Sequence, residues 1–242
     1  KFLYDLKLVP TIEPYMKRTS HGMILGEGGV KMSKSLGNVV NPDEIVKTYG
    51  ADTLRVYEMF VGPFEDTAVW NTESIIGSRR FIEKVWRIGE KVKENSKKNK
   101  NVLIKNSGSF ALGDKRTGDQ HDALNFSSKH FSKLLHKTIK KVEEDIEAMR
   151  FNTAISAMMI LATEMEKSDF IEKEDFKKFL QILSPFAPHI TEELWYMLGE
   201  KKSINISAWP KYDEEKIVDD ETRIAVQVNG KTRAEIFIST KM

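Results

Sequence analysis

Phe131-Ser132-Lys133-Leu134-Leu135-His136-Lys137-Thr138-Ile139-Lys140-Lys141-Val142-Glu143-Glu144-Asp145-Ile146 is the stretch whose reading decides the fold. Its apolar members Phe131, Leu134, Leu135, Ile139, Val142 and Ile146, with Met149 beyond, recur at steps of three and four, the period of one helix face. Lys140/Glu144 and Lys141/Asp145 stand at the i,i+4 spacing that supports an exposed face. Downstream, Ile155, Met158, Met159, Ala162 and Met165 share a second stripe, with Asn152 placed to cap it, and such a methionine stripe reads as core filler. Phe176, Phe179, Leu180 and Leu183 mark a further helix that Pro185 and Pro188 end. His189-Ile190-Thr191-Glu192-Glu193-Leu194-Trp195 then begins another, with acids in its first turn. Upstream, Ile75, Ser78, Ile82, Val85, Gly89 and Val92, with Phe81 and Trp86 beside them, form a broad apolar face. Residues 73–200 therefore predict an antiparallel helical bundle, and the chain as a whole reads as mainly α. Between 95 and 128 the composition turns to Lys, Asn, Ser, Gly and Asp around two apolar islands, which predicts a mobile insertion.

The flanks follow other rules. Met23-Ile24-Leu25 reads as a short strand running into the turn Gly26-Glu27-Gly28-Gly29, after which Val30 and a polar string form a loop. Asn41-Pro42-Asp43-Glu44 sets an N-cap, a proline at the first helical position and an acid at N3. That helix ends at Tyr49-Gly50, and Asp52 is placed to cap the next, which Gly62-Pro63 closes. Near the far end Ile224, Val226 and Val228 alternate, as do Ala234, Ile236 and Ile238, around Asn229-Gly230. A three-residue loop with a bulge at its glycine keeps the apolar face intact by setting Val226 opposite Thr232 or Ala234.

Composition excludes several classes. In 242 residues, 40 % hydrophobic and 31 % charged, there is too much apolar material for disorder. No apolar run nears the roughly 20 residues of a membrane helix, and Asp5 stands too early for a secretory apolar region, so a cytoplasmic protein is expected. The absence of cysteine rules out disulfides, a thiol nucleophile and any cysteine-held metal, and fits a reducing compartment. A net charge of +2 leaves nucleic-acid binding to local patches. The opening on Lys1 rather than Met raises the expectation of an excerpt from a longer chain.

One string carries chemistry: Lys31-Met32-Ser33-Lys34-Ser35. Two lysines three apart on a loop flanked by Gly28, Gly29 and Gly37 can bring ammonium groups onto a polyphosphate, with Ser33 and Ser35 adding hydroxyls. Together with Gly37-Asn38-Val39-Val40-Asn41-Pro42 and Tyr49-Gly50-Ala51-Asp52-Thr53-Leu54-Arg55, it resembles the carboxy-terminal portion of class I aminoacyl-tRNA synthetases. Met149-Arg150-Phe151-Asn152-Thr153-Ala154-Ile155 and Ser184-Pro185-Phe186-Ala187-Pro188-His189-Ile190-Thr191-Glu192-Glu193-Leu194-Trp195 extend the resemblance through the bundle. Within that group, Tyr57-Glu58-Met59-Phe60-Val61-Gly62-Pro63 and Val226-Gln227-Val228-Asn229-Gly230-Lys231 are most similar to bacterial-type leucyl-tRNA synthetases. The segment 95–128 resembles nothing in the family.

The resemblance implies three parts. Residues 1–70 would be the end of a Rossmann-type catalytic domain with its KMSKS loop, 71–221 a helical tRNA-binding bundle, and 222–242 the start of a β-rich C-terminal domain. It implies ATP, accompanied by Mg²⁺, and leucine as substrates, tRNA(Leu) as partner, and no protein-bound metal or membrane. Lys31 and Lys34 would be catalytic, and Lys31, Met32, Ser33, Lys34 and Ser35 would contact ATP. The family's other signature, His-x-Gly-His, is absent, since His21-Gly22-Met23-Ile24 does not fit it, and no editing domain is visible. An isolated chain is therefore expected to be inert without the amino-terminal catalytic portion, in cis or as a second chain. For tRNA the candidates are Arg79, Arg80, Lys84 and Arg87 on one helix, then Lys91, Lys93, Lys97, Lys98 and Lys100, and Arg150 with Asn152 at a helix junction. His189 reads as a capping or packing residue; His121, His130 and His136 have no ligand spacing, and Trp70, Trp86, Trp195 and Trp209 read as core. A tRNA-binding module without catalysis, or the matching part of an isoleucyl or valyl enzyme, are the alternatives.

Overall fold

The computed structural model describes residues 1–13, 15–106, 118–168, 170–218, 221–228 and 231–239, with only the run of the backbone at 97–106, 118–130 and 221–239. It is mostly helical. After the short α1 (Phe2–Asp5) come β1 (Ile24–Leu25), α2 (Pro42–Tyr49), α3 (Ala51–Phe60) and β2 (Ala68–Val69). Five longer helices follow: α4 (Ile75–Asn106), α5 (Gly118–Glu147), α6 (Phe151–Lys167), α7 (Lys173–Leu183) and α8 (Pro188–Met197). The one-turn α9 (Glu214–Ile217) leads to the strands β3 (Glu221–Val228) and β4 (Lys231–Ser239).

The periodic apolar faces meet where their spacing requires. Val85, Ile88 and Val92 of α4 join Leu135 and Ile139 of α5, Ile155, Met158 and Leu161 of α6, Phe176, Phe179 and Leu183 of α7, and Leu194 of α8 in one core. The α6 methionines are core filler, Met158 and Met165 being fully buried. Gly89 lets α4 approach α8 closely: a Cβ there would lie 2.5 Å from Leu194 Cδ2. A smaller core gathers Ile45, Leu54, Tyr57, Trp70 and Ile75 around the first seventy residues, with the Tyr57 and Trp70 rings edge-on at 5.0 Å.

Several local expectations need correction. Asp52 does not cap its own helix: α3 starts at Gly50 without a side-chain cap. Instead Asp52, 7 % exposed, accepts from the Ile190 amide at 2.7 Å and the His189 amide at 3.3 Å, and its Oδ1 lies 2.7 Å from His189 Nδ1. A carboxylate from elsewhere in the chain thus supplies the N-terminal charge of α8, whose first turn holds no acid of its own. Arg55, one turn further along α3, donates to the carbonyls of Pro185 at 2.8 Å and Phe186 at 3.3 Å. The two sequence motifs around Asp52 and Pro185 are therefore two halves of one clamp.

Asp145 is not on an exposed face. It is buried, and it accepts from Lys141 at 2.9 Å, Arg150 Nε at 2.9 Å and Thr153 Oγ1 at 2.6 Å. Lys140 turns to Glu214 of α9 rather than to Glu144. The chain reverses here through Met149, whose φ of 58° is left-handed, and Arg150 takes the N-cap position of α6, so Asn152 lies inside the helix and does not cap it.

The segment 95–128 is drawn largely into its neighbours, α4 running to Asn106 and α5 starting at Gly118, while 107–117 lies outside the described residues.

In the hairpin Val226 does face Ala234. The bulge falls within the ladder, between Val226 and Gln227, and Val228 pairs with Lys231 across two residues that lie outside the described set. The extra residue sits on β4 rather than in the loop.

Candidate phosphate loop and nucleic-acid interface

The loop 26–41 is built by a few short-range bonds. Gly26 N–H donates to Val30 O at 2.8 Å, turning the chain out of β1. Lys34–Leu36 make a single 3₁₀ turn that Gly37 ends with φ 64°. Asn38 ties the two limbs together: its Oδ1 accepts from the Ser33 amide at 2.8 Å, and its Nδ2 donates to Lys31 O at 3.2 Å. Ser33 Oγ and Ser35 Oγ lie 2.7 Å apart. Met32 packs against the small core together with Val40, while Lys31 and Lys34 are exposed. The five-residue string thus has one inward anchor, two outward cations and a hydroxyl pair, stapled at its base by an asparagine. Nothing among the described residues pairs with either lysine, so both ammonium groups are available to an anion.

The basic residues of the bundle are placed differently from one another. Arg79 bonds Glu83 at 2.7 Å and Tyr49 O at 2.9 Å, joining α4 to the end of α2. Lys84 reaches Thr163 Oγ1 at 3.0 Å and Glu166 at 3.3 Å, Arg87 reaches Glu166 at 2.9 Å, and Lys91 donates to Ser168 O. Glu166 is held below the usual carboxylate range, first by the Arg87 hydrogen bond and then by Lys84, against its partial desolvation. These cations stitch α4 to α6. Arg80 is exposed and Lys93 half-buried, and neither has an ion-pair partner among the described residues; the side chains of Lys97, Lys98 and Lys100 lie outside them. Arg79, Trp86, Arg87 and Ile190 line a groove of about 410 Å³ between α4 and α8. Arg150 and Asn152 lie at the opposite end of α6 from Glu166, some 16 residues or about 24 Å away, so the two sets of candidates do not form one patch. Burial pushes Asp145 up, but the bonds from Thr153, Lys141 and Arg150 outweigh it and hold that carboxyl below its ordinary value.

The remaining candidates fall into place as structural residues. His189, 73 % exposed, belongs to the Asp52 clamp. Trp70 and Trp195 are buried, and Trp86 and Trp209 pack against the large core. His136 is buried and accepts from the Asp213 amide at 3.0 Å, while the described structure does not extend to the side chains of His121 and His130. A second cavity of about 490 Å³, between Met23, Glu58, Phe64 and Phe151, sits where the first seventy residues meet α6. Its walls raise the Glu58 carboxyl above the usual range, opposed by the Arg55 charge.

Two residues have partners that the sequence reading did not foresee. Asn38 carried a usable signal, because an asparagine beside a loop glycine commonly bonds backbone across a turn. Asp52 carried none, since its partners lie 137 and 138 positions away. Among the described residues no group of three or more His, Asp or Glu could hold a metal ion, and no helix is long and apolar enough to cross a membrane.

Comparison with known proteins adds the following. Residues 6–70 match the family model of tRNA synthetases class I (I, L, M and V), and residues 128–242 match that of the anticodon-binding domain of tRNA ligase. Among solved structures, the Agrobacterium radiobacter LeuRS in its ternary complex with tRNA and LeuAMS is similar over the whole chain, with a TM-score of 0.73 and 29 % identity. This chain spans 30 % of that one. Mycobacterium tuberculosis methionyl-tRNA synthetase, solved with methionyl-adenylate, shares the fold over 75 % of this chain and 38 % of its own, with a TM-score of 0.52 and 16 % identity.

Proposed function

We propose, for a chain made of a class I tRNA synthetase domain of the I, L, M and V group and an anticodon-binding domain of tRNA ligases, that it works as part of a leucyl-tRNA synthetase. The observation that carries this reading is the loop 31–38, with Met32 anchored, Asn38 as staple and the Lys31 and Lys34 ammonium groups facing outward. Leucine is supported over its relatives by the Tyr57–Pro63 motif and by the likeness to a LeuRS along the full chain.

In this reading ATP enters with Mg²⁺ as the substrate complex. The leucine carboxylate oxygen forms a bond to the α-phosphorus, the bond from that phosphorus to the bridging oxygen breaks, and pyrophosphate leaves. Charge builds on the departing pyrophosphate, so fixed cations at that place lower the barrier more than acid–base groups would. Lys34 is assigned to it, with Lys31 assisting, and Met32, Ser33 and Ser35 shape the contact. A terminal ribose hydroxyl of tRNA(Leu) then attacks the leucyl carbonyl and AMP leaves. The bundle holds the tRNA through Arg80, through Arg150 and Asn152, and through the nitrogens that Arg79 and Arg87 keep free beside Trp86. The parallel pair β1 and β2 leaves Ile24 and Val69 exposed, and parallel strands are normally covered on both faces, which fits a sheet continued by the remainder of the synthetase.

The test is Lys34→Ala in the complete synthetase. Leucine-dependent ATP–pyrophosphate exchange should fall by roughly 10²–10³ while tRNA affinity stays the same. An unchanged exchange rate rejects the assignment.

A further inference from the structure

A cleft of about 330 Å³ opens where the segment before β1 meets the α5–α6 turn. Lys17, Arg18, Thr19 and Ser20 form one wall, Met149 the other, and Glu65 the rim. Of these residues only Met149 falls within a synthetase motif, and the cleft is separate from the loop 31–38.

Its charge is unbalanced. Lys17 and Arg18 are exposed and have no ion-pair or hydrogen-bond partner among the described residues, in contrast to Arg79, Lys84 and Arg87, which are all paired within the fold. Arg150 follows Met149 directly; Asp145 fixes it through Nε alone, and its side chain is 56 % exposed, so its two terminal nitrogens have no partner among the described residues. Two cations line the cleft against one carboxylate, Arg150 stands next to its Met149 wall, and the hydroxyls of Thr19 and Ser20 add neutral donors. The wall opposite them is rigid, because Met149 is held at φ 58° by the Arg150 amide bond to Asp145 O at 2.7 Å. Among the described residues no aromatic ring lines the cleft, so they offer nothing on which to stack a base. Cations and hydroxyls without a base reader are the composition of a backbone-phosphate contact.

We propose that this cleft seats a backbone phosphate of bound tRNA, held jointly by Lys17 and Arg18 of the synthetase domain and Arg150 of the bundle. The proposal rests on the reading that the chain binds tRNA. One phosphate held from both sides would tie the RNA to both parts at their joint and would fix their relative position when RNA is bound.

The test uses the 242-residue chain and unfractionated tRNA, with affinity read by fluorescence anisotropy between 50 and 200 mM salt. Lys17→Ala/Arg18→Ala should weaken binding several-fold and flatten the dependence of log affinity on log salt by about 1. Glu65→Gln should tighten binding, a change that a purely structural role for the cleft would not produce, and equal circular-dichroism melting curves show that the variants fold. An unchanged salt slope in the double variant overturns the proposal while leaving tRNA binding intact. A wild-type chain that does not bind tRNA overturns the proposal and the functional reading together. ATP supplies the remaining arm: calorimetric binding of ATP that the double variant abolishes would assign the cleft to a free nucleotide and overturn the backbone assignment.

Discussion

Replacing Asp52 by alanine removes the carboxylate that receives the first amides of α8 and should be felt across the joint between the two parts of the chain. Three donors lose their partner: the Ile190 amide at 2.7 Å, the His189 amide at 3.3 Å and the His189 ring nitrogen at 2.7 Å. Hydrogen bonds to a charged acceptor contribute about 1.5–3 kcal/mol each, and loss of an N-cap costs about 1–2 kcal/mol. The 3.3 Å bond is weak and the exposed His189 ring regains water, so the sum contracts to about 3 kcal/mol. At 2–4 °C per kcal/mol for a chain of this size, the melting temperature should drop by roughly 6–12 °C. Asp52→Asn keeps one acceptor in place and should lose only about 1 kcal/mol. Circular dichroism at 222 nm, followed through a thermal ramp, reads both. If Asp52→Ala melts within about 1 °C of the parent, the clamp does not hold α8 and the reasoning fails.

Two further outcomes follow from particular contacts. The His136 ring must be neutral to accept from the Asp213 amide, and its pKa is lowered by burial first, then by Lys216 and Lys178, against Asp175 and Asp213. The unfolded chain then binds more protons than the folded one below about pH 6.5, so stability should fall as pH drops through that value, and His136→Gln should flatten the profile measured by urea unfolding. Asn38→Ala removes both staples of the loop 31–38, so exchange activity of the complete synthetase should fall about tenfold while global stability changes by no more than about 1 kcal/mol; full activity would show that the loop needs no staple.

Much of this fold can be read directly from spacing. Leu135, Ile139, Ile155, Met158, Phe176 and Phe179 are buried as their three- and four-residue steps require, because a helix in a bundle has no other way to hide them. Asn41 caps α2 as its sequence neighbours indicate, through a bond from the Asp43 amide. What spacing could not supply were the partners of charged residues. Lys84 and Arg87 look alike in sequence to free surface cations, and the return of α6 with Glu166 engages them, while Arg79 adds to its local pair with Glu83 a bond to the end of α2. Asp145 looked like half of an exposed pair because Lys141 does stand four residues away, yet Arg150 and Thr153, beyond a chain reversal, draw it inward. The string 31–35 was legible as a loop between a short strand and a helix, whereas its geometry depended on Asn38 and on Met32 finding the small core. Local pairs such as Arg79–Glu83 and Lys141–Asp145 follow helix spacing, but the partners that join one element to another are set by tertiary approach, and a local pattern carries no record of them.

The most direct measurement is aminoacylation of tRNA by the complete synthetase to which the proposed function assigns this chain, run in parallel with leucine, isoleucine, valine and methionine. The account predicts that leucine is charged, that the other three are charged at a small fraction of its rate, and that Lys34→Ala lowers the leucine signal by roughly 10²–10³. Efficient charging with isoleucine, valine or methionine in place of leucine, or full leucine charging by the Lys34→Ala enzyme, would contradict it.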